Sequence, residues 1–130
     1  MTRPAVRLRV DFATLCCVGP GKIALLEQIG RDGSLSQAAR ELDMSYRRAW
    51  QLLDSLNHCF REPVAVTAKG GRRGGGARLT VFGRRLIRTY RDFDADVQAR
   101  AARHFRAIVR QAHERPPTRR SATVLRLPDR

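Results

Sequence analysis

The fold is decided by GSLSQAARELDMSYRRAWQLLDSLN, residues 33–57. Ser34 and Ser45 are of the type that caps helix N-termini, and each precedes a run of apolar residues at helical spacing. The first run is Leu35, Ala38, Ala39 and Leu42. The second marks the inner face of a longer helix and consists of Ala49, Trp50, Leu53, Leu56 and Phe60, together with the polar Asn57. The spacing predicts two helices, over about 35–42 and 45–60, joined by a tight turn. Small residues at such a crossing are typical of a DNA-reading helix-turn-helix, although any corner of two helices has the same spacing.

The sequence before this stretch predicts a strand and a first helix. Val6, Leu8, Val10 and Phe12 alternate with charged residues, as in a half-buried β-strand. The tripeptide Gly19-Pro20-Gly21 then breaks the chain, and a short helix follows over about 22–30.

After the pair of helices, the sequence predicts a β-hairpin wing over residues 64–80. Its strands are Val64–Thr67 and Ala77–Thr80, and five of the seven residues 70–76 are glycine. The tip lacks both a Walker ending and a GxGxxG motif opening a helix, which argues against a phosphate-binding enzyme loop. Lys69, Arg72 and Arg73 place three cations there, and we expect them to contact the sugar-phosphate backbone or the minor groove of a nucleic acid.

A long helix is predicted from residue 81 to about residue 109. Its narrow apolar stripe consists of residues 82, 86, 90, 93, 97, 101, 105 and 108. We expect only the turns around Phe82 and Leu86 to reach the small winged domain. Phe93, Val97 and Phe105 would then pair with a second copy of the chain. The alternative is a long helix that lies across its own domain.

These elements predict a mainly α fold with a small β-hairpin wing. We expect a winged helix-turn-helix domain over residues 1–80 that comprises an N-terminal strand, three helices and the wing. A dimerisation helix over 81–110 and a disordered basic tail over 111–130, rich in proline and arginine, complete the prediction.

The charge of the chain points to a polyanionic partner. Its 130 residues contain 26 Lys and Arg and 12 Asp and Glu, which gives a formal net charge of +14. The excess is concentrated after residue 60, where 18 basic residues face 6 acidic ones. Nucleic acid is the first candidate for such a partner. The absence of a long apolar run predicts no membrane span and no signal peptide, and we expect a cytoplasmic protein.

The three cysteines and three histidines do not indicate an enzyme. Cys16, Cys17 and Cys59 lack metal-site spacing, so we expect reduced, mostly buried thiols and neither a metal nor another cofactor. No Ser/His/Asp constellation or paired carboxylates at an apolar site can be identified. A cysteine-based thiol or metalloid sensor stays open as an alternative.

Three sequence blocks together resemble the N-terminal winged-helix domain of the ModE-type molybdate-responsive transcription regulators. They are GSLSQAA at 33–39, SYRRAW at 45–50, and a glycine-rich wing that ends in LTVFG at 79–83. The resemblance covers roughly residues 20–90. It implies a homodimer bound to a palindromic operator in double-stranded DNA, with the recognition helix in the major groove and the wings on the flanking backbone. Only about 20 residues follow the long helix, so we expect the short form, without molybdate-binding domains.

The candidate DNA contacts lie on both helices of the pair. Arg47, Arg48 and Gln51 point outward if Trp50 and Leu53 face the core, and arginine can read guanine while glutamine reads adenine. We expect Ser45 and Tyr46 to touch phosphate, although Ser45 could serve only as a cap. Ser36 and Gln37 begin the preceding helix, whose free N–H groups attract phosphate.

The function expected from the sequence is a sequence-specific transcriptional regulator of the ModE/LysR-like winged-helix type, linked by analogy to molybdenum metabolism. The main alternative is a winged-helix protein-interaction module without operator binding. Retention of Arg47, Arg48 and the basic wing favours the regulator.

Overall fold

The computed structural model describes residues 3–68 and 76–115. The strands are β1 (Val10–Ala13), β2 (Cys16–Val18), β3 (Ala65–Thr67) and β4 (Ala77–Leu79). The helices are α1 (Pro20–Asp32), α2 (Leu35–Glu41), α3 (Tyr46–Cys59), α4 (Val81–His104) and α5 (Arg106–Val109). The expected fold class is confirmed. The chain is mainly helical, with a small antiparallel hairpin and a long C-terminal helix, consistent with a winged helix followed by a helix.

An aliphatic core holds together residues 16–68 and 76–90, which we call the body. Its largest fully buried side chains are Ile23, Leu25, Leu26, Ile29, Leu56, Val18 and Val64. Tyr90 is the one aromatic residue among the buried members of this cluster in the described part of the chain. Burying each large aliphatic side chain contributes roughly 1.5–3 kcal/mol, so this core dominates the stability of the body.

Helix α1 is longer at both ends than the predicted helix over 22–30. Pro20 occupies the first turn, where a missing N–H costs nothing, so the proline starts the helix instead of preceding it. Gly33, in the left-handed region with φ 64°, ends the helix by donating its N–H to the Ile29 carbonyl. Gly30 remains helical, and a Cβ there would lie 2.9 Å from Leu79 Cδ1. This glycine therefore allows a close approach to the wing.

The wing is a two-stranded antiparallel hairpin that is fastened to α3. Strands β3 and β4 pair with Ala65 opposite Leu79. Asn57 Oδ1 accepts a hydrogen bond from the buried Val64 N–H at 2.8 Å, and its Nδ2 donates to the Ala65 carbonyl at 3.2 Å. Asn57 was predicted only as an inner-face residue, whereas the structure makes it the polar link between α3 and the wing.

The start of α4 is held against the body by a cap and a close contact. Thr80 Oγ1 accepts from the Gly83 N–H at 2.9 Å and donates to the Pro63 carbonyl at 2.7 Å. A Cβ at Gly83 would lie 1.9 Å from the Val64 carbonyl oxygen. The spacing of the LTVFG block therefore has a physical reason: threonine caps the helix, and glycine three residues later lets it touch β3.

The predicted N-terminal strand is correct only from Val10 onward. Strand β1 pairs with β2 around a turn in which Leu15 has φ 64°. Residues 3–9 lie along α4 instead: Val6 exchanges two hydrogen bonds with the Gln98 side chain, and Tyr90 donates its hydroxyl hydrogen to the Leu8 carbonyl at 2.8 Å. The alternation of exposure persists because the segment is extended, but its partner is a helix rather than a strand.

Because of the N-terminal segment, α4 contacts the rest of the chain over a greater length than predicted. Contact does not stop at Leu86, because the segment covers α4 as far as Gln98, and Ala101 is only 8% exposed. The predicted single helix to 109 is interrupted at Phe105, whose φ of −96° and ψ of 9° separate α4 from α5. The predicted tail lies outside the described residues from 116 onward.

The expectation of three reduced thiols is wrong for two of them. The structure pairs Cys16 with Cys59 as a disulfide across a Cα–Cα distance of 5.3 Å, and Cys17 is the free cysteine. The pair lies 43 residues apart in sequence. Sequence spacing alone therefore gave no sign of it.

Candidate nucleic-acid interface

Helices α2 and α3 form the tight pair that the capping serines predict. Ser34 Oγ accepts from the Gln37 N–H at 3.2 Å, and Ser45 Oγ accepts from the Arg48 N–H at 3.0 Å. Between the helices, Asp43 takes the left-handed conformation with φ 52°. The buried Ala38, Ala39 and Ala49 let the two helices cross closely. Both helices start within one residue of the predicted position and end one residue earlier than predicted.

The outward face of α3 begins with a cluster of exposed polar side chains. Tyr46, Arg47, Arg48 and Gln51 are all exposed, as predicted. Within residues 3–68 and 76–115, no ion pair involves Arg47 or Arg48. Arginine and glutamine side chains without intramolecular partners are free to make hydrogen bonds elsewhere. The geometry thus leaves this end of α3 available for a partner.

Arg91 shows the opposite condition for an arginine in the same chain. Its guanidinium binds Glu27 of α1, with Nε at 3.1 Å from Oε2, and also lies near Asp94. The hydrogen bond to Glu27 raises the pKa of Arg91 above its ordinary value, burial opposes this, and the charges of Glu27 and Asp94 act in the same direction as the hydrogen bond. Arg91 therefore links α4 to α1, whereas Arg47 and Arg48 form no ion pair with another element in the described part of the chain.

The expected phosphate contacts at the start of α2 are engaged within their own helix. Ser36 Oγ accepts from Arg40 at 3.5 Å, and Gln37 Nε2 donates to Glu41 at 3.1 Å. Both side chains are half-buried. They lie in the first turn of α2, where backbone N–H groups lack helical partners.

Trp50 is half-exposed, which corrects its expected place in the core. Its exposed fraction is 50%, while Ala49, Leu53 and Leu56 fill the buried face of α3. Adjacent helical residues point about 100° apart, so Ala49 and Trp50 cannot both face the centre of the core. The spacing of the three buried residues was the signal that could have placed the tryptophan at the edge. Tyr46, one turn earlier, is 55% exposed, so two aromatic rings flank the polar cluster.

The wing contributes one described cation that the sequence analysis did not single out. Arg78 of β4 is exposed and pairs in register with Val66. The predicted wing contacts Lys69, Arg72 and Arg73 lie outside the described residues. At the base of the tip, the Ala68 N–H donates to the Gly76 carbonyl at 2.8 Å, so the two strands are still paired where the tip begins.

The residues predicted to join two copies of the chain lie on α4 and just after it. Phe93 and Phe105 are about half-exposed, at 49% and 50%, while Val97 is partly buried. Phe93 also borders an apolar cleft of about 240 Å³ that Val10, Phe12 and Leu86 line with it. An exposed apolar strip thus runs from the β1–β2 hairpin onto α4.

The described residues, 3–68 and 76–115, contain neither a candidate metal site nor a membrane-spanning helix. No group of three or more His, Cys, Asp or Glu in the described part of the chain is placed to hold a metal ion. A membrane-spanning helix needs a long apolar stretch, and none of the described helices has one.

Comparisons with known proteins give individual relatives, whereas no protein-family model matches the chain. The molybdenum transport protein ModE of Azotobacter vinelandii is 38% identical over 98 residues, which cover 75% of this chain and 36% of the relative. The molybdenum-pterin-binding protein MopB of Rhodobacter capsulatus is 45% identical over 80 residues, covering 62% and 30%. The DNA-binding transcriptional dual regulator ModE of Escherichia coli K12 is 40% identical over 82 residues, covering 63% and 31%. The chain therefore spans about a third of the length of these relatives.

Proposed function

We propose that this chain is a sequence-specific DNA-binding transcriptional regulator, and its similarity to ModE proteins over 63–75% of its length supports this. The observation that carries the proposal is the exposed start of α3, where Arg47, Arg48 and Gln51 project without intramolecular ion pairs. A helix of this kind fits the major groove, in which each base pair presents a distinct pattern of donors and acceptors.

The remaining site residues would position α3 rather than read sequence. Ser45 and Tyr46, at the start of α3, would contact phosphate. Ser36 and Gln37, in the first turn of α2, would approach a second phosphate, although the Gln37 N–H already donates to Ser34 Oγ. The wing cations Lys69, Arg72 and Arg73, with Arg78, would contact the flanking backbone and add affinity more than specificity.

The working unit in this proposal is a homodimer on a palindromic operator. Phe93, Val97 and Phe105 would form the joining face, and the half-exposure of both phenylalanines supports this. Two copies joined by their long helices present two recognition helices at a fixed separation, which matches the repeat of half-sites in a palindrome.

The biological context that we propose is molybdenum-related regulation in the cytoplasm, in a protein without catalytic activity. The support is the names of the relatives, which refer to molybdenum transport, molybdenum-pterin binding and transcription. The matched region is only about a third of those proteins. Molybdate recognition by this chain is therefore not part of the proposal.

The test begins with selection of a binding site from random duplexes by the full chain. Trp50 is the single tryptophan and borders the polar cluster of α3, so its fluorescence reports directly on engagement of that helix. Affinity should fall by orders of magnitude between ~50 and ~200 mM salt if each copy contacts several phosphates. A salt-independent response, or no binding at low salt, would refute the proposal.

Variants then separate base reading from backbone contact. Arg47→Ala or Arg48→Ala should cost about 1–3 kcal/mol on the selected site and relax one base position. Arg72→Ala should weaken all duplexes equally and lower the salt slope by about one unit. Arg103→Ala, on the far part of α4, is the matched control and should change neither property. The assignment fails if Arg72→Ala shifts the selected sequence while the α3 variants do not.

A further inference from the structure

The Cys16–Cys59 pair joins the two elements whose relative position sets the end of α3. Cys16 is the first residue of β2, and Cys59 is the last residue of α3. Their Cα atoms lie 5.3 Å apart, which is within the range that a disulfide bond spans. The covalent state of this pair therefore decides whether the C-terminal end of α3 is tied to the N-terminal hairpin.

A surface cleft gives small molecules access to the pair. The cleft has a volume of about 350 Å³, and both cysteines line it. The other lining residues are Thr14, Leu15, Asp54, Ser55 and His58. Cys16 is only 6% exposed, whereas Cys59 is intermediate. Cys59 is therefore the more accessible residue of the pair.

Cys17 has separate surroundings, although it is next to Cys16 in sequence. Its neighbour is Lys22, whose Nζ lies 3.7 Å from Cys17 Sγ, 2.8 Å from the Cys17 carbonyl oxygen and 3.3 Å from Ser55 Oγ. Cys17 is unpaired in the structure and does not line the cleft. It therefore provides an internal control thiol in the same strand.

We propose that Cys16 and Cys59 form a reversible redox site that takes small-molecule disulfides of the glutathione class as oxidant. The Cys59 thiolate attacks one sulfur of the oxidant, forms a mixed disulfide and releases one thiol. The Cys16 thiolate then attacks the Cys59 sulfur, forms the protein disulfide and releases the second thiol. Two protein thiols and one small disulfide thus give one protein disulfide and two small thiols. In a reducing compartment, disulfides of this kind are typically transient sensing or catalytic bonds.

The consequence for DNA binding rests on the proposed function. Helix α3 carries the polar cluster at its N-terminal end and the redox cysteine at its C-terminal end. Oxidation adds a covalent tie near Asn57, where hydrogen bonds already fasten α3 to the wing. The oxidised form should therefore hold the recognition helix more rigidly and bind the selected duplex several-fold more tightly.

The experiment equilibrates the full chain in glutathione buffers of graded redox ratio and counts free thiols by maleimide mass tags. The wild type should change from three tags to one in a single two-thiol step, because the chain has three cysteines. Cys17→Ser should change from two tags to none at the same redox ratio. Cys16→Ser and Cys59→Ser should lose the step. Three tags or one tag at every ratio would overturn the proposal, since the pair would then be a permanent dithiol or a permanent disulfide.

The same samples test the link to DNA binding. Duplex affinity, read from Trp50 fluorescence, should rise across the redox ratios at which the two tags disappear, both in the wild type and in Cys17→Ser. Equal affinity of the oxidised and reduced forms would overturn the coupling. If neither form binds any duplex while the two-thiol step remains, the proposed function fails and the redox site stands. A thermal melt of the reduced wild type checks folding without relying on a cysteine variant.

Discussion

The two parts of α4 differ in how they are held. The part from Val81 to Arg91 belongs to the body or borders it: Thr80 caps it, Gly83 touches β3, and Arg91 binds Glu27 of α1. The part beyond, residues 92–109 including α5, which we call the outer helix, has the N-terminal segment as its described neighbour. A helix cap, a close backbone contact and an ion pair hold the first part, whereas two hydrogen bonds between Val6 and Gln98 anchor the second.

Exposure differs in the same way. The large apolar side chains of α1 and α3 that face the body are nearly all buried, whereas Phe93, Phe105 and Ile108 of the outer helix are 49%, 50% and 62% exposed. A strip of large exposed apolar residues on a long helix marks an interaction surface more often than an ordinary solvent face. Contacts within one chain thus cover the apolar side chains of the body, whereas those of the outer helix stay largely exposed in the described part of the chain.

The largest effect should follow from filling the contact at Gly83. Gly83→Val places a Cβ where only 1.9 Å separates it from the Val64 carbonyl oxygen, so α4 must move away from β3. We expect a loss of more than about 3 kcal/mol in the free energy of unfolding, measured by urea denaturation. Gly21→Ala is the control, because a Cβ at Gly21 meets nothing within 4 Å. Equal stability of the two variants would show that the body does not depend on this contact.

A substitution on the exposed face of the outer helix should weaken the dimer rather than lower the stability of the body. Phe93→Asp would bury an unpaired charge in the proposed joining face and weaken the dimer by about 3 kcal/mol, or ~100-fold. Ala95→Asp adds the same charge on the opposite side of α4 and should leave the dimer intact. Light scattering distinguishes the two. A wild-type mass of 14.7 kDa at micromolar concentration would show that the outer helix has no second copy as its partner.

The same division describes what the sequence could predict. The bounds of α2 and α3 came out nearly right because their signals are local: a capping serine, helical spacing and a tight turn. The wing strands were equally local, since glycine and alternation mark them. These signals gave the order of the helices and of the wing strands, whereas β2 (Cys16–Val18) was not predicted.

The errors concern contacts between distant residues. Val6 and Gln98 are separated by 92 positions, and no local pattern says that an alternating segment will lie on a helix. The Cys16–Cys59 pair spans 43 positions in a chain whose cysteine count gave no framework. The prediction for Trp50 was wrong for a different reason. Ala49, Leu53 and Leu56 fill the buried face of α3, so a tryptophan at position 50 lies at its edge. The candidate DNA contacts and the joining face remain predictions, supported by exposure.

A middle-sized effect tests the polar link inside the body. Asn57→Ala leaves the buried Val64 N–H without its 2.8 Å acceptor, and we expect a loss of about 1–3 kcal/mol in unfolding free energy. The oligomeric mass should not change, since Asn57 links α3 to the wing and is not part of the proposed joining face. Gln51→Ala is the matched control, an exposed truncation on the same helix that should leave stability unaltered. A change in the oligomeric mass of Asn57→Ala would show that assembly through the outer helix depends on the packing of the body.

The smallest effect lies at the boundary between the two parts, at Tyr90. Its hydroxyl group donates to the Leu8 carbonyl at 2.8 Å and so fastens the N-terminal segment to α4. Burial raises the pKa of Tyr90 above its ordinary value of 10.0, and the Asp94 carboxylate acts in the same direction. The folded protein therefore retains the phenolic proton at pH values where the unfolded chain loses it.

The sign of the pH dependence follows from this difference. The stabilisation from Tyr90 is complete below pH 10.0 and is lost as the pH rises through the higher pKa of the folded state, because the unfolded chain releases its proton first. Tyr90→Phe should cost about 1 kcal/mol at neutral pH, for the lost hydrogen bond, and should show a shallower fall of Tm above pH ~10 than the wild type. Tyr46→Phe, whose ring is 55% exposed, should follow the wild-type curve. Parallel curves for Tyr90→Phe and the wild type would mean that the hydroxyl group does not fasten the N-terminal segment, which would leave the hydrogen bonds between Val6 and Gln98 as its described tie to α4.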